Sequence, residues 1–275
     1  MKATFSVSMI AREKETVLSN MNVESTTPWS SHISDFLGAN WELGTSLGKV
    51  LTLTPSSTDE KWVITKFATT PKMSTYLLAY ACGEFKYLES KYTSKLSGKT
   101  IPLRVYASSD IDQAKMGLDV MGYALPIYEE LFEIEYPLPK LDTLVAHDFD
   151  MGAMENWGLI TGRTTAYFCT ERSSLTAKKR IGQVQCHEVA HMWFGNIVTM
   201  KWWDNLWLNE AFATLMGSIV LPDRIWPEWK MGTQFLNDHF VRALLLDARR
   251  SSHPIEAHCA NSSEITVSTT PYSMA

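Results

Sequence analysis

Only four cysteines occur in 275 residues, Cys82, Cys169, Cys186 and Cys259, and no two form a C-x-x-C pair. Thiols scattered this way read as free cysteines in a reducing compartment. Charge is sparse too. Charged residues make up 20% beside 45% hydrophobic ones, which excludes the composition of a disordered chain. There is no basic excess: 25 Lys and Arg face 30 Asp and Glu, a formal net charge of −5. Nucleic acid is therefore not the expected partner, because phosphate binding leaves a basic footprint. No stretch of 18 apolar residues is present, so no transmembrane segment is expected. Residues 1–9 alternate apolar and polar positions and lack the continuous apolar core of a secretory signal. The expectation is a cytoplasmic globular protein without repeats or low-complexity tracts.

What is present divides into two kinds of pattern. The length allows one large domain or two small ones. In the first hundred residues Phe5, Val7 and Met9 alternate with polar neighbours, the period of a half-buried strand. Further strands are expected at 49–54, 61–67, 75–81, 84–89 and 101–107, with a loop-like stretch over 25–46. The character changes near residue 98. Residues 110–132 carry helical spacing, with Asp110 as N-cap and a kink or restart at Pro126. Residues 141–146 read as a buried strand, and from Ser173 onward the pattern is mainly helical.

The chemistry concentrates in His187-Glu188-Val189-Ala190-His191. On a helix running from about 173–176 to Gly195-Asn196, positions i and i+4 share a face, so both imidazoles reach one metal. Val184 lies on that face. Glu188 is rotated off it by about 100° and is aimed at a water rather than at the metal. A zinc site with two His ligands needs a third protein ligand and an open position. Glu210 supplies a candidate, on a second helix whose Leu208, Phe212, Leu215, Met216 and Ile219 are expected to be buried. Glu210 shares another stripe with Leu206, Ala213 and Gly217, small enough to let the two helices approach closely. Trp193, Trp202, Trp203 and Trp207 read as core. Gly152-Ala153-Met154-Glu155-Asn156 suits an exposed strand edge to which a peptide can add by main-chain hydrogen bonds, with Glu155 at the groove's end.

Taken together, the Gly152–Asn156 string, His187-Glu188-x-x-His191 and Glu210 resemble the zinc aminopeptidases of the aminopeptidase N and puromycin-sensitive type. The resemblance implies an α+β chain. Residues 1–98 would be the later part of an N-terminal β domain. Residues 99–275 would form a thermolysin-like mixed α/β zinc peptidase domain, truncated at its C-terminal end. It implies one zinc ion held by His187, His191 and Glu210, with Glu188 as general base toward a zinc-activated water. Gly152, Ala153, Met154, Glu155 and Asn156 would bind substrate, and Glu155 would take the free α-amino group. The implied partners are peptides with a free N-terminus. Met151 and Ala211 are mild departures from the family's usual small residue and Gly. The family's oxyanion-stabilising Tyr precedes Ser-Lys-Gly, whereas Tyr272 here is followed by Ser273-Met274. The alternative expectation is therefore a truncated fragment with weak activity or none.

Overall fold

Alternating apolar positions in the N-terminal third build small antiparallel sheets rather than one large one. The computed structural model describes residues 1–29, 61–252, 254–256 and 258–261. The strand expected at 49–54, most of the loop expected at 25–46, and Tyr272 lie outside them. β1 (Lys2–Ala3) pairs with β6 (Met73–Ser74), and β3 (Thr16–Ser19) with β7 (Tyr80–Gly83). β5 (Trp62–Phe67) sits between β2 (Ser8–Arg12) and β4 (Val23–Pro28). Phe5, Val7 and Met9 pack against the core as their alternation predicts. Phe5 and Val7 nevertheless stand outside any strand, and their carbonyls accept from Thr70 and Phe67. Residues 75–81, expected as one strand, instead form a 3-10 turn (Thr75–Leu77) followed by β7. The turn holds because side-chain amides of Asn20 and Asn156 satisfy the Leu77 carbonyl that a ladder would otherwise take.

The larger sheet has the order β11-β12-β10-β9-β8, where β8 is Lys86–Thr93, β9 Thr100–Ala107, β10 Leu141–Ala146, β11 Ala153–Met154 and β12 Leu159–Arg163. β10 runs parallel to β9 and β12, and the two edge strands pair antiparallel. The fold is thus mixed α+β. Residue 98 falls in the turn of the β8–β9 hairpin, so this sheet runs across the boundary expected there. β10 is covered on both faces, which explains its nearly continuous apolar run. Its two polar residues have internal partners: Asp142 is buried with Lys140 at 2.9 Å, and Thr143 accepts from the Gln185 amide at 3.3 Å.

Two helices cover the sheet. α1 (Lys115–Phe132) buries Leu118, Met121, Leu125 and Tyr128. Asp110 is not its N-cap: it adopts a left-handed conformation (φ 52°), makes no capping bond, and leads into a 3-10 turn at Ile111–Ala114. Nor does the helix restart at Pro126, since it runs unbroken from Lys115 to Phe132. Packing of the apolar face outweighs the one backbone hydrogen bond that proline forgoes. After the short α2 (Thr164–Tyr167), α3 (Leu175–Ala190) begins at Ser174, whose hydroxyl accepts from the Ala177 N–H at 3.2 Å. It ends earlier than its sequence suggests, with His191 as C-cap and the Gly195-Asn196 pair in the following turn.

α4 (Leu206–Leu215) continues through a π turn (Met216–Val220) into α5 (Leu221–Ile225). Its expected burial holds for Met216, and Phe212 packs against the core, but it is corrected at two positions. Leu208 and Leu215 are 48% and 45% exposed, while Leu206, Asn209, Ala213, Thr214 and Gly217 are buried. The small stripe wins the contact with α3 because it permits the closer approach. A Cβ on Gly217 would lie 2.6 Å from the His187 nitrogen and 2.7 Å from its Cα. The tryptophans divide in the same way. Trp193 is core, Trp202 is 44% exposed, Trp207 borders an apolar groove, and Trp203 faces the cleft described next.

Candidate metal centre and cleft

The close approach of α3 and α4 brings three donor atoms together. His187 Nε2 and His191 Nε2 are 3.0 Å apart, and Glu210 Oε2 lies 3.3 and 3.6 Å from them. A tetrahedral zinc ion with bonds of about 2.0–2.1 Å separates its ligands by about 3.3 Å. These three distances bracket that value. The hydrogen bonds give a second test. His191 Nδ1 lies 2.9 Å from the Phe194 carbonyl, which can only accept, and 3.2 Å from Asn209 Oδ1. Nδ1 therefore carries a proton, so Nε2 is the nitrogen left to face a metal ion. The two Nε2 atoms 3.0 Å apart, with Glu210 Oε2 beside them, form a donor set that a cation fits.

Gly195 secures this arrangement. It adopts φ +123°, and a Cβ there would lie 2.5 Å from Asn209 Oδ1. The turn after α3 can therefore close onto α4 only with glycine at that position.

The surrounding carboxylates favour positive charge at the imidazole pair. Burial lowers the His191 pKa, but the carboxylates of Glu155, Glu210 and Glu188 outweigh it and lift it to about 10. His187 is lowered, by burial first and partly by repulsion from His191, which leaves it a neutral donor. Burial alone would raise Glu210, yet His191 and His187 hold it well below the usual carboxylate range. Glu188 is pushed well above that range by burial, aided by Glu155 and Glu210. Burial also pushes the Cys186 thiol up, so it offers no thiolate beside the imidazoles. A pocket crowded with carboxylates around facing imidazoles is built to hold positive charge.

The centre opens into a cleft of about 470 Å³, within the size range of small-ligand sites. Gly152, Ala153, Met154, Glu155, Val184, Glu188 and the three candidate ligands all line it. Glu188 stands off the ligand triad and clusters instead with Glu155 and His191, their donor atoms within 4.8 Å of one another. β11 is the sheet's edge strand, so its outer backbone faces outward. Asn156 does not line the cleft. It is buried, with Nδ2 on the Leu77 carbonyl and Oδ1 accepting from Thr161.

Three cleft-side residues escape a reading of spacing. Asn209 joins His191 to Glu155; its only sequence signal is a polar side chain within an apolar, Trp-rich segment. Trp203 and Tyr76 pack at 5.2 Å across the cleft wall, and the Tyr76 hydroxyl donates to Glu155 Oε1 at 3.1 Å. No local pattern links residues 76 and 155.

Residues 116–273 match the Peptidase family M1 domain. The alanine/arginine aminopeptidase of Saccharomyces cerevisiae is 40% identical over 267 residues, 96% of this chain and 27% of that protein. The puromycin-sensitive aminopeptidase of Caenorhabditis elegans is 40% identical over 266 residues, 96% of this chain and 24% of that protein. Aminopeptidase M1 of Arabidopsis thaliana is 45% identical over 204 residues, 74% of this chain and 22% of that protein. The chain spans about a quarter of the length of the curated relatives it matches.

Proposed function

Since this chain belongs to peptidase family M1, we propose that it is a zinc aminopeptidase that removes N-terminal residues from peptides. The observation that carries this reading is the gathering of His187, His191 and Glu210 beside two further carboxylates, Glu188 and Glu155, in one cleft. His187, His191 and Glu210 would hold the zinc ion. When bound there, zinc supplies a Lewis acid that polarises a carbonyl and lowers the pKa of water to about 7.

The chain's own residues do the rest. Glu188, with its pKa raised by burial, takes a proton from the attacking water at its carboxylate and returns it to the leaving amine. Glu155 supplies the counter-charge for the substrate's ammonium. Its closeness to Glu188 and His191 leaves room for one residue's length between amine and scissile bond, which restricts the cut to the first peptide bond. The exposed backbone of β11 offers main-chain hydrogen bonds to an extended peptide. A parallel-centred sheet covered by a helix that carries the His pair supports a thermolysin-like arrangement. The absence of a disulfide among the four described cysteines supports a cytoplasmic setting. No helix among the described residues is long and apolar enough to cross a membrane.

The test pairs zinc analysis with hydrolysis of leucyl p-nitroanilide and its N-acetyl counterpart. One zinc per chain and cleavage of the free amine alone are expected. Equal cleavage of both substrates, or zinc bound without any hydrolysis, would overturn the proposal for this chain.

A further inference from the structure

Tyr76 reaches the cleft from the N-terminal strands, not from the large sheet or its helices, and buried polar contacts fix where it stands. The Asn20 amide donates to the carbonyls of Leu77 at 2.8 Å and Trp157 at 2.9 Å, and accepts from the Ala79 N–H at 2.9 Å. Lys140 Nζ donates to Ser19 O at 2.9 Å and Gly158 O at 2.7 Å. The turn carrying Tyr76 is thereby tied to the segment that follows Glu155. Such fully satisfied buried networks rigidify what they join.

The consequence falls on one carboxylate. Tyr76 Oη donates to Glu155 Oε1 at 3.1 Å, and Asn209 Nδ2 approaches the same oxygen at 3.5 Å. Glu155 Oε2 takes no hydrogen bond among the described residues, although the residue is only 5% exposed. One oxygen is anchored and the other is left for a ligand.

We propose that Tyr76 is a positioning residue for recognition of the free N-terminus: by anchoring Glu155 Oε1 it presents Oε2 to the substrate's ammonium. The inference rests on the amine-binding reading of Glu155 given above. It divides exopeptidase specificity between two parts of the chain, the carboxylate on the edge of the large sheet and its anchor on the N-terminal strands.

Tyr76→Phe tests it, because the ring keeps its contact with Trp203 and only the donor is lost. The zinc-loaded full chain is titrated calorimetrically with leucinol and N-acetylleucinol, which carry no leucyl amide bond to cut, and KM and kcat for leucyl p-nitroanilide are measured alongside. Loss of one hydrogen bond to a charged group predicts that Y76F reduces the preference for the free amine about tenfold. KM should rise by a similar factor, with kcat and zinc content unchanged. Glu155→Gln should abolish the preference. Full preference in Y76F with none in Glu155→Gln overturns the role of Tyr76 and leaves the reading of Glu155 standing. Undiminished preference in Glu155→Gln overturns both. A fall in zinc content or in kcat with KM unchanged marks Tyr76 as merely structural and also overturns the proposal.

Discussion

At one end of the cleft, His187, His191 and Glu210 come from two consecutive helices, and a stripe of small side chains sets their spacing. At the other end, Glu155 directly follows a two-residue edge strand and is held by Tyr76, 79 residues earlier in the chain. The metal end is short-range: a helical repeat aligns the imidazoles, and a close helix crossing delivers the third ligand. The amine end is long-range, held by side-chain amides, a buried lysine and a tyrosine from another sheet. The two ends therefore separate positions that can be altered with local consequences from positions whose loss spreads between sheets.

Removing the proton carrier sharpens this contrast most. Glu188→Gln should retain one zinc per chain and lose a factor of about 10²–10⁴ in turnover, since it deletes a general base without touching a ligand. Turnover with parallel metal analysis checks it. At the amine end, Lys140→Met leaves Asp142 buried without its partner and should cost about 3–5 kcal/mol in urea unfolding. Gly217→Ala acts on the metal end, forcing a methyl group against the His187 backbone. A loss of about 1–3 kcal/mol is expected, together with weaker zinc binding in a chelator competition. Leu208→Ser should change stability by no more than about 0.5 kcal/mol, because that side chain is half exposed. A large loss there would mean that the bulky face of α4 carries the packing after all.

The same contrast explains what could be read from the amino-acid order. The His187–His191 pair, the off-axis Glu188 and the small stripe through Ala213 and Gly217 all follow from one helical repeat, so spacing alone gave their relative placement. Leu208 and Leu215 of α4 misled because size suggests burial, whereas close helix contact favours small side chains. Asp110 misled because its local capping signal yielded to the packing of α1. Tyr76 carries no local signal at all and meets the site only once strands distant in sequence have paired, while Trp203, read as core, faces the cleft instead. Asn156 belongs to the Gly152–Asn156 string, yet it serves the backbone rather than the cleft.

X-ray absorption at the zinc edge of the reconstituted chain bears most directly on the metal centre. The account predicts one zinc with a shell of nitrogen and oxygen donors only, at about 2.0–2.1 Å, two of them imidazole, and loss of tight binding in Glu210→Gln. A sulfur shell near about 2.3 Å, or zinc binding that survives replacement of both His187 and His191, would contradict it.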